Sequence, residues 1–197
     1  MNEGVPIPAE AREIPDSGIV VVYHRTEEDQ LSSIIGSGLI PDFGGDSEYS
    51  RGMSQDGGPV RDLNKIFNEV ARRKGVGFLR TECVFADLKR RPVRFPGVNL
   101  ALSVKPDLCY VADRRLFDRS LRYLEARLKK YRQISQANAA IYWDGIVRLD
   151  QFLMNRDGFE DPEVLLPHGN GVVKMQIVDD EWKEKHPLWL SAEPGQE

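Results

Sequence analysis

Residues 18–41 read GIVVVYHRTEEDQLSSIIGSGLIP, and the fold is decided by how that stretch changes its periodicity. Ile19, Val20, Val21, Val22 and Tyr23 form a β-branched and aromatic run behind Gly18, the pattern of a buried strand. Thr26 then offers a hydroxyl to cap a helix, with Asp29 three positions on in a capping-box-like place. Leu31, Ile34 and Ile35 mark one apolar face at helical spacing, and Gly36 and Gly38 stop the helix before Leu39-Ile40-Pro41 leads out. A strand therefore runs straight into a helix, with Tyr23-His24-Arg25-Thr26 at the junction.

Working outward, residues 1–18 carry three prolines and no periodicity and are expected to be a loose tail. Asp42 to Pro59 is rich in Gly, Ser and Asp and reads as a long loop, the kind that often binds or covers a ligand. Leu63, Ile66, Phe67 and Val70 predict a helix ending near Lys74-Gly75. Glu82–Leu88, Asn99–Val104 and Cys109–Val111 are strand candidates. Phe117, Leu121, Leu124, Leu128 and Tyr131 recur at steps of four and three and predict one long helix. Ile141–Trp143 and Ile146–Leu149 read as short extended pieces, Glu163–Leu166 as a strand start and Val172–Val178 as the last strand. Short strands unevenly mixed with helices predict an α+β fold with a mixed or antiparallel sheet core in a single domain over residues 19–180, followed by a polar tail over 181–197.

Composition excludes several classes. The chain has 197 residues, 41% hydrophobic and 29% charged, and no apolar run near the roughly 18–20 residues that span a bilayer. The N-terminus lacks a basic start followed by an apolar stretch, so a cytoplasmic protein without membrane contact is expected. Cys83 and Cys109 cannot frame a disulfide scaffold, and their apolar neighbours predict core packing. With three histidines and no paired C-x-x-C, no metal site is expected. The net charge of −4 supplies no global field for nucleic acid. Cations nevertheless gather at Lys89, Arg90, Arg91 and Arg94, and at Arg114, Arg115, Arg119, Arg122, Arg127, Lys129, Lys130 and Arg132. These read either as a solvated helix face with a basic loop or as a patch for a polyanion.

Phosphate-binding loops of the G-x-x-x-x-G-K-S/T and G-x-G-x-x-G types, the G-x-S-x-G elbow and H-E-x-x-H are all missing. Two segments remain. His24 lies where a strand gives way to a helix, so its side chain faces a cleft or is a satisfied strand-end histidine. In Asp161-Pro162-Glu163-Val164-Leu165-Leu166, a proline sets Glu163 on the extended entry to an apolar strand. Glu163 is then either a surface carboxylate or one that accepts a ribose hydroxyl and stabilises the positive charge of a breaking glycosidic bond.

Taken together, YHRT at a strand end, the helix EEDQLSSIIGSGLIP and the late strand PEVLLPHG resemble the ADP-ribosyltransferase superfamily. The resemblance is to its His–Tyr–Glu branch, which includes diphtheria-toxin-like, poly-ADP-ribose-polymerase-like and DarT-like enzymes. It implies a split sheet with flanking helices and NAD as substrate, with transfer of ADP-ribose to a protein or nucleic-acid acceptor. It places His24 on the nicotinamide ribose and Glu163 as the catalytic carboxylate, with Arg25 and Thr26 beside them. The family's stacking tyrosine is absent from the strand Glu82–Leu88; Phe85, or the more distant Tyr110, stands in for it. The loop Asp42–Pro59 falls where such enzymes carry a donor loop, and Arg51 within it can pair with the pyrophosphate.

Two other readings use the same fold. An RNA 2′-phosphotransferase-like enzyme would converge His24, Arg25, Arg51 and Arg80 on phosphates without an essential glutamate. A non-catalytic binding module would keep the architecture and cleave nothing.

Overall fold

The computed structural model describes residues 18–39, 58–90, 97–155 and 158–179. Strand β1 (Val20–Thr26) pairs along its length with β3 (Val98–Val104), and β3 with β7 (Val172–Ile177). Strand β2 (Cys83–Asp87) pairs along its length with β6 (Pro162–Pro167), which pairs with β4 (Tyr110–Asp113) and through it with the short edge strand β5 (Val147–Arg148). The order across the sheet is β5-β4-β6-β2-β1-β3-β7, and each of these ladders is antiparallel. The two halves meet between β2 and β1, where the register rests on the pair Tyr23–Asp87. The fold is therefore α+β, with a sheet that divides beside His24.

Alternation of side chains gives each half two faces. On one face Val22, Leu100, Leu102 and Val104 join Val84, Ala86, Val111, Val164 and Leu166 in a core that spans both halves. Leu31 of α1 (Leu31–Ser37) and Leu149 and Phe152 of α5 (Leu149–Met154) close it. On the other face α2 (Gly58–Lys74), α3 (Arg114–Glu125) and α4 (Tyr131–Asp144) cover the β2-β6-β4 half through Leu63, Phe67, Phe117, Ala139, Tyr142 and Trp143. Phe67 meets Phe117 and Tyr142 edge-on, with centroids 5.1 and 5.3 Å apart. Such contacts add about 0.5–1.5 kcal/mol each to area burial.

Several local expectations are corrected. Thr26 does not cap α1: it ends β1 and donates to the Glu27 carbonyl at 3.4 Å. A 3-10 turn, Glu28–Gln30, intervenes and delays the helix by a turn. Gly38, at φ 79°, stops α1 where a side chain would be strained. Gly58 and Pro59, placed in the loop by composition, open α2.

The single helix expected through Tyr131 is two helices. Arg127 takes φ 51°, and the chain turns so that α4 packs back on α3. Ile141–Trp143, read as extended, lies inside α4. The buried side of that helix is Ser135, Asn138, Ala139, Tyr142 and Trp143, at helical spacing but largely small or polar, so apolar periodicity did not reveal it. Ile146–Leu149 divides between β5 and the start of α5. The tails over 1–17 and 180–197, and residues 40–57 of the loop, lie outside the described residues.

Candidate functional site

Antiparallel partners share a face, so the register sets one row across the sheet: Tyr23 opposite Asp87, Asp87 opposite Glu163, and Glu163 opposite Ala112. The row lies at the seam between the halves. Pro162, at the first position of β6, tolerates the loss of a ladder donor and delivers Glu163 into the strand.

Glu163 is 2% exposed. Arg80 Nη2 donates to both of its oxygens at 3.2 Å, and Tyr142 Oη donates to Oε1 at 2.9 Å. Arg114 Nε stands 3.7 Å from Oε2, and the Arg114 guanidinium also engages Asp87. A buried carboxylate needs such partners, since desolvation without them costs several kcal/mol.

The support for Arg80 comes from α2. Asn68 Oδ1 accepts from the Arg80 backbone N–H at 3.0 Å, and Asn64 Oδ1 accepts from Nη1 at 3.3 Å. These asparagines are one helical turn apart. The guanidinium is sandwiched between the Phe85 and Phe117 rings, 4.2 and 3.7 Å from their centroids. Arg114 is positioned by the start of α3, where Asp113 caps the helix by accepting from Arg115 N at 3.1 Å and Arg114 N donates to Asp161 O at 2.9 Å.

The electrostatics follow from this packing. Burial disfavours the charged forms of Arg80 and Arg114, but Glu163 and Tyr142 around Arg80, and Asp87 and Glu163 around Arg114, outweigh it and hold both guanidiniums cationic. Burial, with Glu163 beside it, pushes the Tyr142 hydroxyl well above its ordinary value and keeps it a donor. Burial also raises Asp118 against the opposing pull of Arg114.

His24 is arranged differently. It is opposite Leu100, so its side chain starts on the face away from Glu163. Because β1 leaves β2 after Tyr23, the imidazole fills the gap and its Nδ1 bonds the Phe85 carbonyl at 2.7 Å. Desolvation lowers its pKa, against the raising influence of the Phe85 carbonyl and Asp87. The ring is therefore favoured neutral, with Nδ1–H as the donor to Phe85 and Nε2 left as an acceptor.

The other expected site residues separate. Arg25 and Thr26 continue β1 along the seam, and Gly97 closes on them: a Cβ there would come within 2.8 Å of Thr26 O and 3.0 Å of Arg25 Nε. The Arg25 Nη2 atom is buried without a hydrogen-bond partner among the described residues. Phe85 belongs to the Glu163 face, but one side of its ring carries Arg80. Tyr110 pairs with Leu165 and packs on Phe78, with centroids 4.8 Å apart. It stands two residues along the ladder from the Glu163 row, about 7 Å. Arg51 lies outside the described residues.

Sequence reasoning missed Asp87, Arg114 and Tyr142 as neighbours of Glu163 and Tyr23 as a member of its row, and it assigned Arg80 to a different chemistry. One signal was available: Asn64 and Asn68 interrupt the apolar face of α2 at i and i+4, the mark of a buried polar partner. No protein-family model matches the chain, and no curated protein or solved structure is significantly similar to it.

Proposed function

We propose that the chain transfers ADP-ribose from NAD to a macromolecular acceptor, protein or nucleic acid. The observation that carries the reading is the seam itself. The edge of β1 that faces β2 is released from its ladder beyond Tyr23, and His24 and Glu163 flank that point from the two strands neighbouring β2. Released strand edge suits a planar amide, neutral His24 suits a ribose hydroxyl, and a carboxylate suits the cation that forms as the bond to nicotinamide breaks. Nicotinamide would depart with the bonding electron pair, and the acceptor nucleophile would form the new bond to the anomeric carbon as it loses its proton.

Arg25 Nη2, buried and without a hydrogen-bond partner among the described residues, suits a phosphate oxygen. Tyr23 is the aromatic residue in the row with Glu163, which makes it a better stacking candidate than Phe85 or Tyr110. Arg80, 7% exposed and committed to Glu163, does not suit the phosphotransferase reading, in which it would meet phosphates.

One observation favours a second reading. Glu163 is saturated by Arg80 and Tyr142, as a structural ion pair would be. A non-catalytic module would keep that pair for stability. The deciding measurement is nicotinamide release from NAD by the wild type and by Glu163→Gln, with melting curves for both and with labelled NAD added to cell lysate. Transfer predicts release that falls roughly a hundredfold or more in a variant that is still folded, with label appearing on the acceptor. Absence of release by the wild type in every arm supports the module.

A further inference from the structure

The acidity of the whole chain conceals a basic tip. Between residues 119 and 133 stand Arg119, Arg122, Arg127, Lys129, Lys130 and Arg132 against the one carboxylate of Glu125, in a chain whose net charge is −4. All six cations are exposed, five of them between the last turn of α3 and the first turn of α4 and Arg119 a turn earlier, and among the described residues none of them is in an ion pair. The patch differs in this from Arg114 and Arg115, which face Asp87, Glu163, Asp113 and Glu160.

Folding does not account for most of these charges. Arg122 sits in the last turn of α3, where a cation complements the helix dipole. Lys129, Lys130 and Arg132 sit at the opposite pole. Lys130 is the N-cap of α4 and makes no side-chain cap bond, and the first turn of that helix holds no acidic residue. Cations at a helix N-terminus oppose the dipole, so this arrangement concentrates positive potential at some expense to the helix.

Partly exposed Tyr123 and Tyr131 stand among the cations, and Leu128 is 42% exposed. Arg119 Nε donates to Tyr123 Oη at 3.1 Å, with its guanidinium 5.8 Å from the ring centroid.

We propose that the α3–α4 tip is a docking surface for single-stranded nucleic acid. Exposed cations meet the phosphates, and the two tyrosines offer faces on which unstacked bases can lie. A duplex keeps its bases stacked and would use the charges alone. An acidic polypeptide would have no use for the rings. Along α4, Tyr131 lies about 17 Å from Tyr142, so the surface is separate from the Glu163 site, and the inference does not rest on NAD cleavage.

The test is fluorescence anisotropy with labelled oligo-dT and oligo-U, a duplex of equal length and polyglutamate, each titrated with the full chain at several salt concentrations. The single strands should bind most tightly, weakening with salt by about 0.7 log units per log unit for each phosphate contact. Lys129→Ala/Lys130→Ala, at exposed positions, should melt like the wild type. It should lower that slope by about 1.4 and weaken binding tenfold or more. Tyr123→Ala/Tyr131→Ala should weaken single-strand binding while leaving the slope unchanged. Failure of the single strands to bind, equal binding by the Lys129/Lys130 variant, or tighter binding of duplex or polyglutamate would overturn the proposal.

Discussion

Tyr142 Oη donates a 2.9 Å hydrogen bond to Glu163 Oε1, tying the last turns of α4 to the entry of β6 across the covered face of the sheet. The bond links two otherwise distinct roles, since Tyr142 is also a core ring packed on Phe67 and Trp143. Removing the hydroxyl leaves that packing in place and takes one donor from a buried carboxylate. Tyr142→Phe should therefore destabilise by about 1.5–3 kcal/mol, the range for hydrogen bonds to charged groups. The melting temperature should fall by several degrees. A variant that melts with the wild type would show that the bond contributes nothing net.

The Arg80–Glu163 pair makes a prediction by non-additivity. Arg80→Met removes the main counter-charge from a carboxylate that is 2% exposed and leaves Arg114, at 3.7 Å, as partial compensation. The expected loss is about 3–5 kcal/mol. Arg80→Met/Glu163→Gln should lose less than Arg80→Met alone, because the unpaired charge is gone. Urea midpoints measured for the single variants and the double variant check this, and strict additivity would count against a coupled pair.

His24 gives the chain a pH dependence of definite sign. Burial lowers its folded pKa below the ordinary value of 6.5, so the unfolded state binds more protons as the pH falls through that value. The contribution of neutral His24 is present above 6.5 and is lost as pH falls toward and through the lowered folded value. Melting temperature followed through mildly acidic pH should decline, and His24→Gln should flatten the decline. Asp179 acts in a lower window. Burial raises it, but the Asn99 backbone and side chain and Arg90 together bring it below 3.8, so its stabilisation disappears only in stronger acid. The two windows separate in one titration.

Both thiols should be inert while the chain is folded. Burial pushes Cys83 up to about 12, with Glu163 and Glu82 adding to the effect and Arg80 opposing it. Burial and Asp107 push Cys109 up to about 12. Thiol-reactive dye should label neither at mildly alkaline pH and both after denaturation. Rapid labelling of the native chain would contradict their burial.

Local pattern was enough for much of the architecture. The run Val20–Tyr23, the apolar spacing of Leu63, Ile66, Phe67 and Val70, and the strand Glu163–Leu166 all appear where the sequence predicts them, because each carries its own periodicity. Propensity failed where neighbours decided the outcome. Nothing local breaks the Phe117–Tyr131 periodicity; packing of α4 on α3 does, with Arg127 accepting φ 51°. The burial pattern of α4 uses Ser135 and Asn138 beside its aromatic residues, and Asn138 Nδ2 donates to Ser120 Oγ at 3.0 Å, a partner visible only in three dimensions.

For the candidate site, local pattern places His24 directly after a β-branched run and Glu163 directly after a proline at the start of another strand, although β1 continues past His24 to Thr26. Strand pairing in three dimensions is what sets β1 and β6 on either side of β2, starts His24 on one face of the sheet and Glu163 on the other, and brings Arg80 and Tyr142 to the carboxylate. The physical reason is sequence distance. A buried charge is satisfied by whatever donors the fold brings to it, and those donors come from the turn before β2 and from α4, with no periodicity connecting them to Glu163.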